Sequence, residues 1–436
     1  MSFAPLNLHP DLLRGVEALG FSQPTPIQTQ AIPPALAGHD LLASAMTGTG
    51  KTAAFLLPIL QRLLPQSTGT TRALVLTPTR ELAIQIAEQL NQLAQYTPLR
   101  GATIIGGVAM PPQVRAFNSG VEVLIATPGR LLDHCTQPYA KLTGIQVLVF
   151  DEADRMLEMG FLPSIRRILN HLPRQRQTLF FSATMPKAIL GLAREILHNP
   201  LTINQEQPAA PATGITQRVY TVAQDHKAAF LAALLTQEAI PRAIVFTRTK
   251  HRADRLSRSL TAAGIEGQRI HGNRSQAQRT QALEGFKRGE FRVLVTTDIA
   301  ARGIDIEALG HVINFDVPVA AADYIHRVGR TARAERTGEA ITLVAPEEED
   351  KLKAIERALG KRLTRQTLPG FNKATITAQP LEIPLGERLA AHRTAQASAR
   401  AKTAAKTTRT NPTATPPAAA SRRVRPRTAA KKTQGR

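Results

Sequence analysis

Residues 40–64 read DLLASAMTGTGKTAAFLLPILQRLL. An apolar run, DLLASA (40–45), leads into Gly48-Thr49-Gly50-Lys51-Thr52, and KTAAFLLPILQRLL (51–64) has helical apolar spacing. Strand, glycine loop and helix in that order are the context of a phosphate-binding loop, G-x-x-x-x-G-K-[ST]. Ala45 stands where the pattern has its first Gly. That position ends the strand before the tight turn begins, so the loop is retained. The glycines let backbone N–H groups face phosphate oxygens at the positive end of the helix. In such a loop Lys51 reaches the β- and γ-phosphates and Thr52 holds Mg²⁺, with Thr47, Gly48, Thr49 and Gly50 forming the cradle. A glycine turn opening an ordinary helix is the plainer alternative for this stretch alone.

Outward from the loop, RALVLT (72–77), VEVLIA (121–126), QVLVF (146–150) and QTLFFS (177–182) read as buried strands. RELAIQIAEQLNQLAQ (80–95) has helical spacing. Strands alternating with helices imply right-handed crossover units and a parallel sheet. A stretch rich in Pro, Ala and small polar residues, NQEQPAAPATGITQ (204–217), reads as a linker. The rhythm resumes with RAIVFT (242–247), RVLVTT (292–297), HVINF (311–315) and AITLVA (340–345). The expected organisation is a first α/β domain over 1–207, a linker over 208–217, a second α/β domain over 218–368 and a disordered basic tail over 369–436.

The 436 residues carry a formal net charge of +22, with 43% apolar residues, no Trp and one Cys, Cys135. A single Cys excludes an internal disulfide framework and suits a reducing compartment. No charged stretch precedes an apolar run at the N-terminus, and no apolar run is long enough to span a bilayer. The expected location is the cytoplasm, with no membrane partner. Residues 371–436 hold 14 Lys and Arg against 2 Glu, about +12 of the total. Charge concentrated in this way points to a polyanionic partner, the alternative being solubility alone.

Directly after VLVF comes Asp151-Glu152-Ala153-Asp154. Carboxylates at the C-terminal end of a buried parallel strand lie where α/β proteins bind ligands. Asp151 can hold Mg²⁺, mainly through water, and Glu152 can orient or deprotonate an attacking water. Scattered His and one Cys offer no metal cluster, thiol centre or Ser-His-Asp triad.

The DEAD sequence after a strand, downstream of the A-x-T-G-x-G-K-T loop, resembles the DEAD-box RNA helicases, and the resemblance runs through about residues 1–365 in motif order. It implies two tandem RecA-like parallel-sheet domains, ATP and Mg²⁺ as cofactors, and RNA as partner. GFSQPTPIQ (20–28) resembles the adenine-reading motif, with Gln28 as the base-edge contact, Thr25 beside it and Phe3 as the stacking aromatic. PTREL (78–82), Gly106-Gly107 and TPGR (127–130) resemble the RNA-backbone motifs, which assigns Pro78, Thr79, Arg80, Gly106, Gly107, Thr127 and Arg130 to RNA. Each alone would more often be a helix cap. Ser182-Ala183-Thr184 resembles the coupling motif, its hydroxyls bonding to Asp154. VFTRT (245–249), SQAQR (275–279), TTDIAARGID (296–305) and HRVGRTAR (326–333) resemble the later motifs. By resemblance Arg248 and Thr296 contact RNA, Asp305 meets the ribose, and Arg330 and Arg333 are arginine fingers.

The implied activity is ATP-dependent local separation of RNA duplexes or remodelling of RNA–protein complexes by domain closure. Two alternatives stay open: a DNA helicase of the same superfamily, and an RNA clamp or annealing protein whose ATPase is incidental. The short chain start, compact core and basic tail are most like the bacterial RhlE-type branch, which would imply ribosomal precursors or RNA-degradation proteins as partners.

Overall fold

The strands fall into two seven-stranded parallel sheets. The computed structural model describes residues 2–46, 48–65, 69–204, 214–238, 240–301, 304, 306, 309–331 and 337–371. The first sheet comprises β1 (Leu41–Ser44), β2 (Ala73–Leu76), β3 (Gly101–Ile104), β4 (Val123–Ala126), β5 (Val147–Phe150), β6 (Gln177–Ser182) and β7 (Leu201–Asn204). Its order is β3-β4-β2-β5-β6-β1-β7. The second comprises β8 (Ile215–Thr221), β9 (Ala243–Thr247), β10 (Gly267–Ile270), β11 (Val293–Thr297), β12 (His311–Asn314), β13 (Gly338–Val344) and β14 (Thr364–Gln366), in the order β10-β11-β9-β12-β13-β8-β14.

Helices cover both faces, so the central strands are apolar on both sides. In β2, Ala73 and Val75 enter one core cluster while Leu74 and Leu76 enter the opposite one. In β5, Val147 and Val149 divide from Leu148 and Phe150 in the same way. This two-residue alternation turns a continuous apolar run into two cores. A parallel sheet sends all its strand ends to one edge. The phosphate loop, PTREL, Gly106-Gly107, TPGR, DEAD and Ser182-Ala183-Thr184 follow β1, β2, β3, β4, β5 and β6 at that edge.

Two expected boundaries shift. β8 begins at Ile215, inside the expected 208–217 linker, because Val219 and Tyr220 are buried and the strand pairs with β13 over its whole length. The second core also extends past 368. Phe371 stacks edge-on against Phe230 with centroids 4.8 Å apart, so packing continues at least to Phe371, past the expected start of the tail at 369. Linker residues 205–213 and tail residues 372–436 lie outside the described residues.

Candidate active site and nucleic-acid interface

β1 keeps pairing at its end: the Ala45 N–H donates to the Ser182 carbonyl at 3.0 Å. A side chain without hydrogen-bonding demands suits a residue still in the ladder, which accounts for Ala in place of Gly. The chain then turns through Gly48 (φ 79°) and Gly50 (φ 90°), in the left-handed region open to glycine. Gly50 is further constrained by its neighbours. A Cβ there would lie 2.5 Å from Gln28 Nε2 and 2.9 Å from Thr25 Oγ1. The Gln28 amide donates to the Gly50 carbonyl at 3.1 Å and accepts from the Thr25 N–H at 2.9 Å. Gln28 is 3% exposed, so in this structure it braces the loop from behind.

Lys51 opens the helix Lys51–Leu63 and is buried. Its Nζ lies 3.7 Å from Asp151 Oδ1, beyond hydrogen-bond reach, and neither atom has a hydrogen-bond partner among the described residues. A buried ammonium and a buried carboxylate with unfilled capacity fit a ligand that brings both anionic oxygens and a cation. Both line a cavity of about 580 Å³ with Gly48, Gly50, Thr52 and Glu152, and Ile304 and Arg330 of the second domain complete the wall. A cavity of this size suits a nucleotide.

Burial pushes the Asp151 carboxyl above its ordinary value, and Lys51 pulls the other way. Burial also raises Glu152, with Asp151 and Asp154 adding to the shift while Lys51 and Arg330 oppose it. Glu152 adopts φ 54°, ψ 51°, a left-handed conformation rare for a residue with a side chain. Such strain costs about 1–3 kcal/mol and collects at functional sites. Asp154 is clasped to the end of β6. The Thr184 N–H and hydroxyl donate to its Oδ2 at 2.9 and 2.8 Å, and its own N–H donates to the Ser182 hydroxyl at 3.2 Å. The structure thus brings Asp154, Ser182 and Thr184 together.

Arg330 donates to the Ile304 carbonyl at 2.9 Å, on the same wall as Glu152. Side chains not singled out from the sequence also link the two domains. Glu81 Oε2 is 2.8 Å from Arg279 Nη2, and Glu81 Oε1 accepts from Gln276 Nε2 at 3.0 Å. Arg155 Nη1 donates to Asp323 Oδ1 at 3.4 Å. Glu81 lies within PTREL, and Gln276 and Arg279 within SQAQR. Only pairing the two motifs in space reveals their joint use.

A second cavity, about 300 Å³, is lined by Pro78, Thr79, Arg80, Gly106, Thr127 and Arg130, with Gly272, Arg279 and Ile299 from the second domain. The Arg80 guanidinium lies over the glycine pair: a Cβ at Gly107 would be 2.1 Å from its Nη1. Thr79 does cap its helix, accepting from the Leu82 N–H at 3.3 Å. Three expected residues are placed differently. Phe3 is 4% exposed within the first core, and Leu19 and Phe21 line the nucleotide cavity instead. Thr296 has no exposed surface, and its hydroxyl donates to the Thr297 carbonyl at 3.2 Å. Arg248 is at the surface but does not line the second cavity. Thr47, Asp305 and Arg333 lie outside the described residues.

A phosphate loop whose cavity is completed by an arginine from a second parallel-sheet domain defines a two-domain P-loop nucleotide hydrolase, in which turnover depends on apposition of the halves. Comparison with known proteins narrows this class. The DEAD/DEAH box helicase family matches residues 25–191, and the helicase conserved C-terminal domain matches residues 226–335. The DEAD-box ATP-dependent RNA helicase CshA of Bacillus licheniformis is 41% identical over 383 residues, 88% of this chain and 78% of that protein. RhpA of Helicobacter pylori, also a DEAD-box ATP-dependent RNA helicase, is 41% identical over 375 residues, 86% of this chain and 76% of its own. S. cerevisiae Dbp5 bound to RNA and ADP BeF3 matches with a TM-score of 0.75 at 33% identity, over 84% of this chain and 95% of that one. The chain belongs to the DEAD-box ATP-dependent RNA helicase family.

Proposed function

We infer that the chain is an RNA-dependent ATPase that separates short RNA duplexes, or strips protein from RNA, by closing its two domains on both ligands. One observation carries this reading: Lys51 and Glu152 of the first domain and Arg330 of the second line a single cavity.

Lys51 and the loop N–H groups bind the phosphates. Thr52 and Asp151 would hold Mg²⁺, which neutralises charge on the phosphate oxygens. Glu152, its carboxyl raised by burial, accepts the proton of the attacking water. Arg330, with Arg333 assigned alongside it by resemblance, stabilises charge as the γ-phosphoryl departs. Thr25, Gln28 and Phe3 are assigned to the base by resemblance, and Asp305 to the ribose; Phe21 is the aromatic on the cavity wall. Asp154, clasped to Ser182 and Thr184, ties the carboxylate turn to β6 and so links hydrolysis to closure.

Pro78, Thr79, Arg80, Gly106, Gly107, Thr127, Arg130 and Arg248 hold the RNA backbone through phosphates and 2′-hydroxyls, so sequence preference is weak. Thr296 is assigned to RNA by resemblance alone. ATP and RNA both span the two domains, and each therefore strengthens the other's binding. Action on ribosomal precursors, or with RNA-degradation proteins, in the cytoplasm is the reading that a resemblance to the RhlE-type branch would carry, although the relatives reported above are CshA and RhpA.

The test is Glu152→Gln, assayed for RNA-stimulated ATPase and for RNA retention with ATP. Turnover is expected to fall about 10²–10⁴-fold while RNA stays bound. Near-normal turnover would refute the role of Glu152. The 14 basic residues in 371–436 favour a second activity, RNA annealing. Strand exchange that is equal with and without ATP would make annealing the main function, and opening of a blunt DNA duplex would point to a DNA helicase.

A further inference from the structure

At the ends of β12 and β13 runs a chain of charges that the nucleotide site does not use. Lys227, at the start of the helix Lys227–Gln237, has no exposed surface. Its ammonium donates to the Phe315 carbonyl at 3.0 Å, the Leu343 carbonyl at 2.7 Å and Glu348 Oε2 at 2.5 Å. These three acceptors use all of its protons, so its position is fully determined. The other oxygen of the same carboxylate, Glu348 Oε1, accepts from Arg248 Nη2. The Arg248 backbone is fixed separately, its N–H donating to Asp316 Oδ2 at 2.8 Å.

Exposure changes abruptly along this chain. The side chains of Lys227, Glu348 and Arg248 are 0%, 5% and 35% exposed. Glu348 therefore sits between a buried cation and a surface one. Stability alone is a poor reason for such an arrangement, since apolar side chains of similar volume serve a core as well as a buried ion pair. Apolar side chains cannot, however, hold a part-exposed guanidinium by one of its nitrogens. Arg248 follows β9, at the edge of the second sheet where the ligand loops gather.

We propose that Glu348, anchored by Lys227, is a positioning residue: it holds the Arg248 guanidinium in the orientation in which its remaining N–H groups meet an RNA phosphate. This rests on the reading of Arg248 as an RNA contact. Glu348 does not itself touch RNA. It lowers the ordering cost of a long side chain that would otherwise be paid on binding.

The test is RNA-stimulated ATPase of the full chain at saturating ATP, titrated with a single-stranded RNA oligonucleotide. The variants are Arg248→Ala, Glu348→Gln, the pair Lys227→Met with Glu348→Gln, and the pair Arg248→Ala with Glu348→Gln. Arg248→Ala is expected to raise the RNA concentration for half-maximal rate. Glu348→Gln and the Lys227/Glu348 pair should raise it about 3- to 10-fold, with turnover at saturating RNA within about twofold. The Arg248/Glu348 pair should be no worse than Arg248→Ala, because the carboxylate acts only through that arginine. Thermal unfolding reports the fold. If Glu348→Gln alone unfolds early, the Lys227/Glu348 pair decides, since it leaves no unpaired buried charge. Half-saturation unchanged by the Glu348 variants while Arg248→Ala raises it would overturn the proposal, as would additive effects in the Arg248/Glu348 pair. A silent Arg248→Ala would instead overturn the RNA role of Arg248, and the proposal with it.

Discussion

Replacing Glu81 by Gln should weaken closure of the two domains without unfolding either. Glu81 is 5% exposed and its two oxygens face Arg279 at 2.8 Å and the Gln276 amide at 3.0 Å, both across the interface. Burial lowers the Arg279 pKa, and Glu81 offsets that cost by pulling it up. A carboxamide keeps the shape but turns an NH₂ group toward one of two donors. It loses a charge-assisted hydrogen bond and gains a clash of donors. Hydrogen bonds to charged groups are worth about 1.5–3 kcal/mol, or about 10- to 150-fold in the closure equilibrium. Neither core contains this contact, so thermal unfolding should move little. RNA and ATP both draw on closure, so the half-saturating concentration of each should rise, and each should recover as the other is raised. The assay is steady-state ATPase over a grid of RNA and ATP concentrations for Glu81→Gln, Arg279→Met and the double variant. The double variant should cost little more than either single one. Half-saturation within twofold of the parent at every ATP concentration, with the fold intact, would refute the reasoning.

Gln28→Ala removes the brace behind Gly50: the Thr25 N–H loses its side-chain acceptor, and the Gly50 carbonyl keeps only the Ala54 N–H. The ATP KM should rise about tenfold, and ATP and GTP rates should converge. An unchanged KM and preference, measured with both nucleotides, would sink the assignment. In the nucleotide-free protein, burial raises the Asp151 and Glu152 carboxyls, with Lys51, Asp154 and Arg330 facing them. The folded state then holds protons that the unfolded state has released, so stability falls as pH rises from the ordinary carboxylate range through the raised values. The melting temperature of Asp151→Asn/Glu152→Gln should show a flatter dependence on pH over that window, and parallel curves would contradict this. Removal of residues 372–436 spares Phe371 and its packing. If the segment neutralises about four phosphates, truncation should flatten the plot of log affinity against log salt by about 3 units. Equal slopes, from binding across a salt series, would show that it does not touch RNA.

The strands legible in the sequence were the central ones. Within RALVLT, QVLVF and QTLFFS the inner runs ALVL, VLVF and LFF are continuously apolar because helices cover both of their faces. The strands that went unread, β3, β7, β10 and β14, are the four sheet edges, and β8 lies next to one of them. Their sequences, GATI, LTIN, GQRI and TRQ, carry polar or exposed positions, because an edge strand is only partly covered. Their existence follows from pairing with a neighbour already in place, which is information outside the segment itself.

The same division holds at the site. Phosphate loop, DEAD and Ser182-Ala183-Thr184 were legible because each needs several defined residues in a row where a strand ends. A backbone cradle or a metal-holding turn is a local object. Arg330 beside Glu152, and Glu81 against Arg279, are non-local: their members lie 178 and 198 residues apart. Composition and spacing say nothing about which surface arginine meets which carboxylate. The sequence also could not show that Phe3 is drawn into the core, that Gln28 spends its amide on Gly50, or that Thr296 is buried. Those outcomes depend on which atoms compete for the same few ångströms, and only the packed tertiary structure decides that competition.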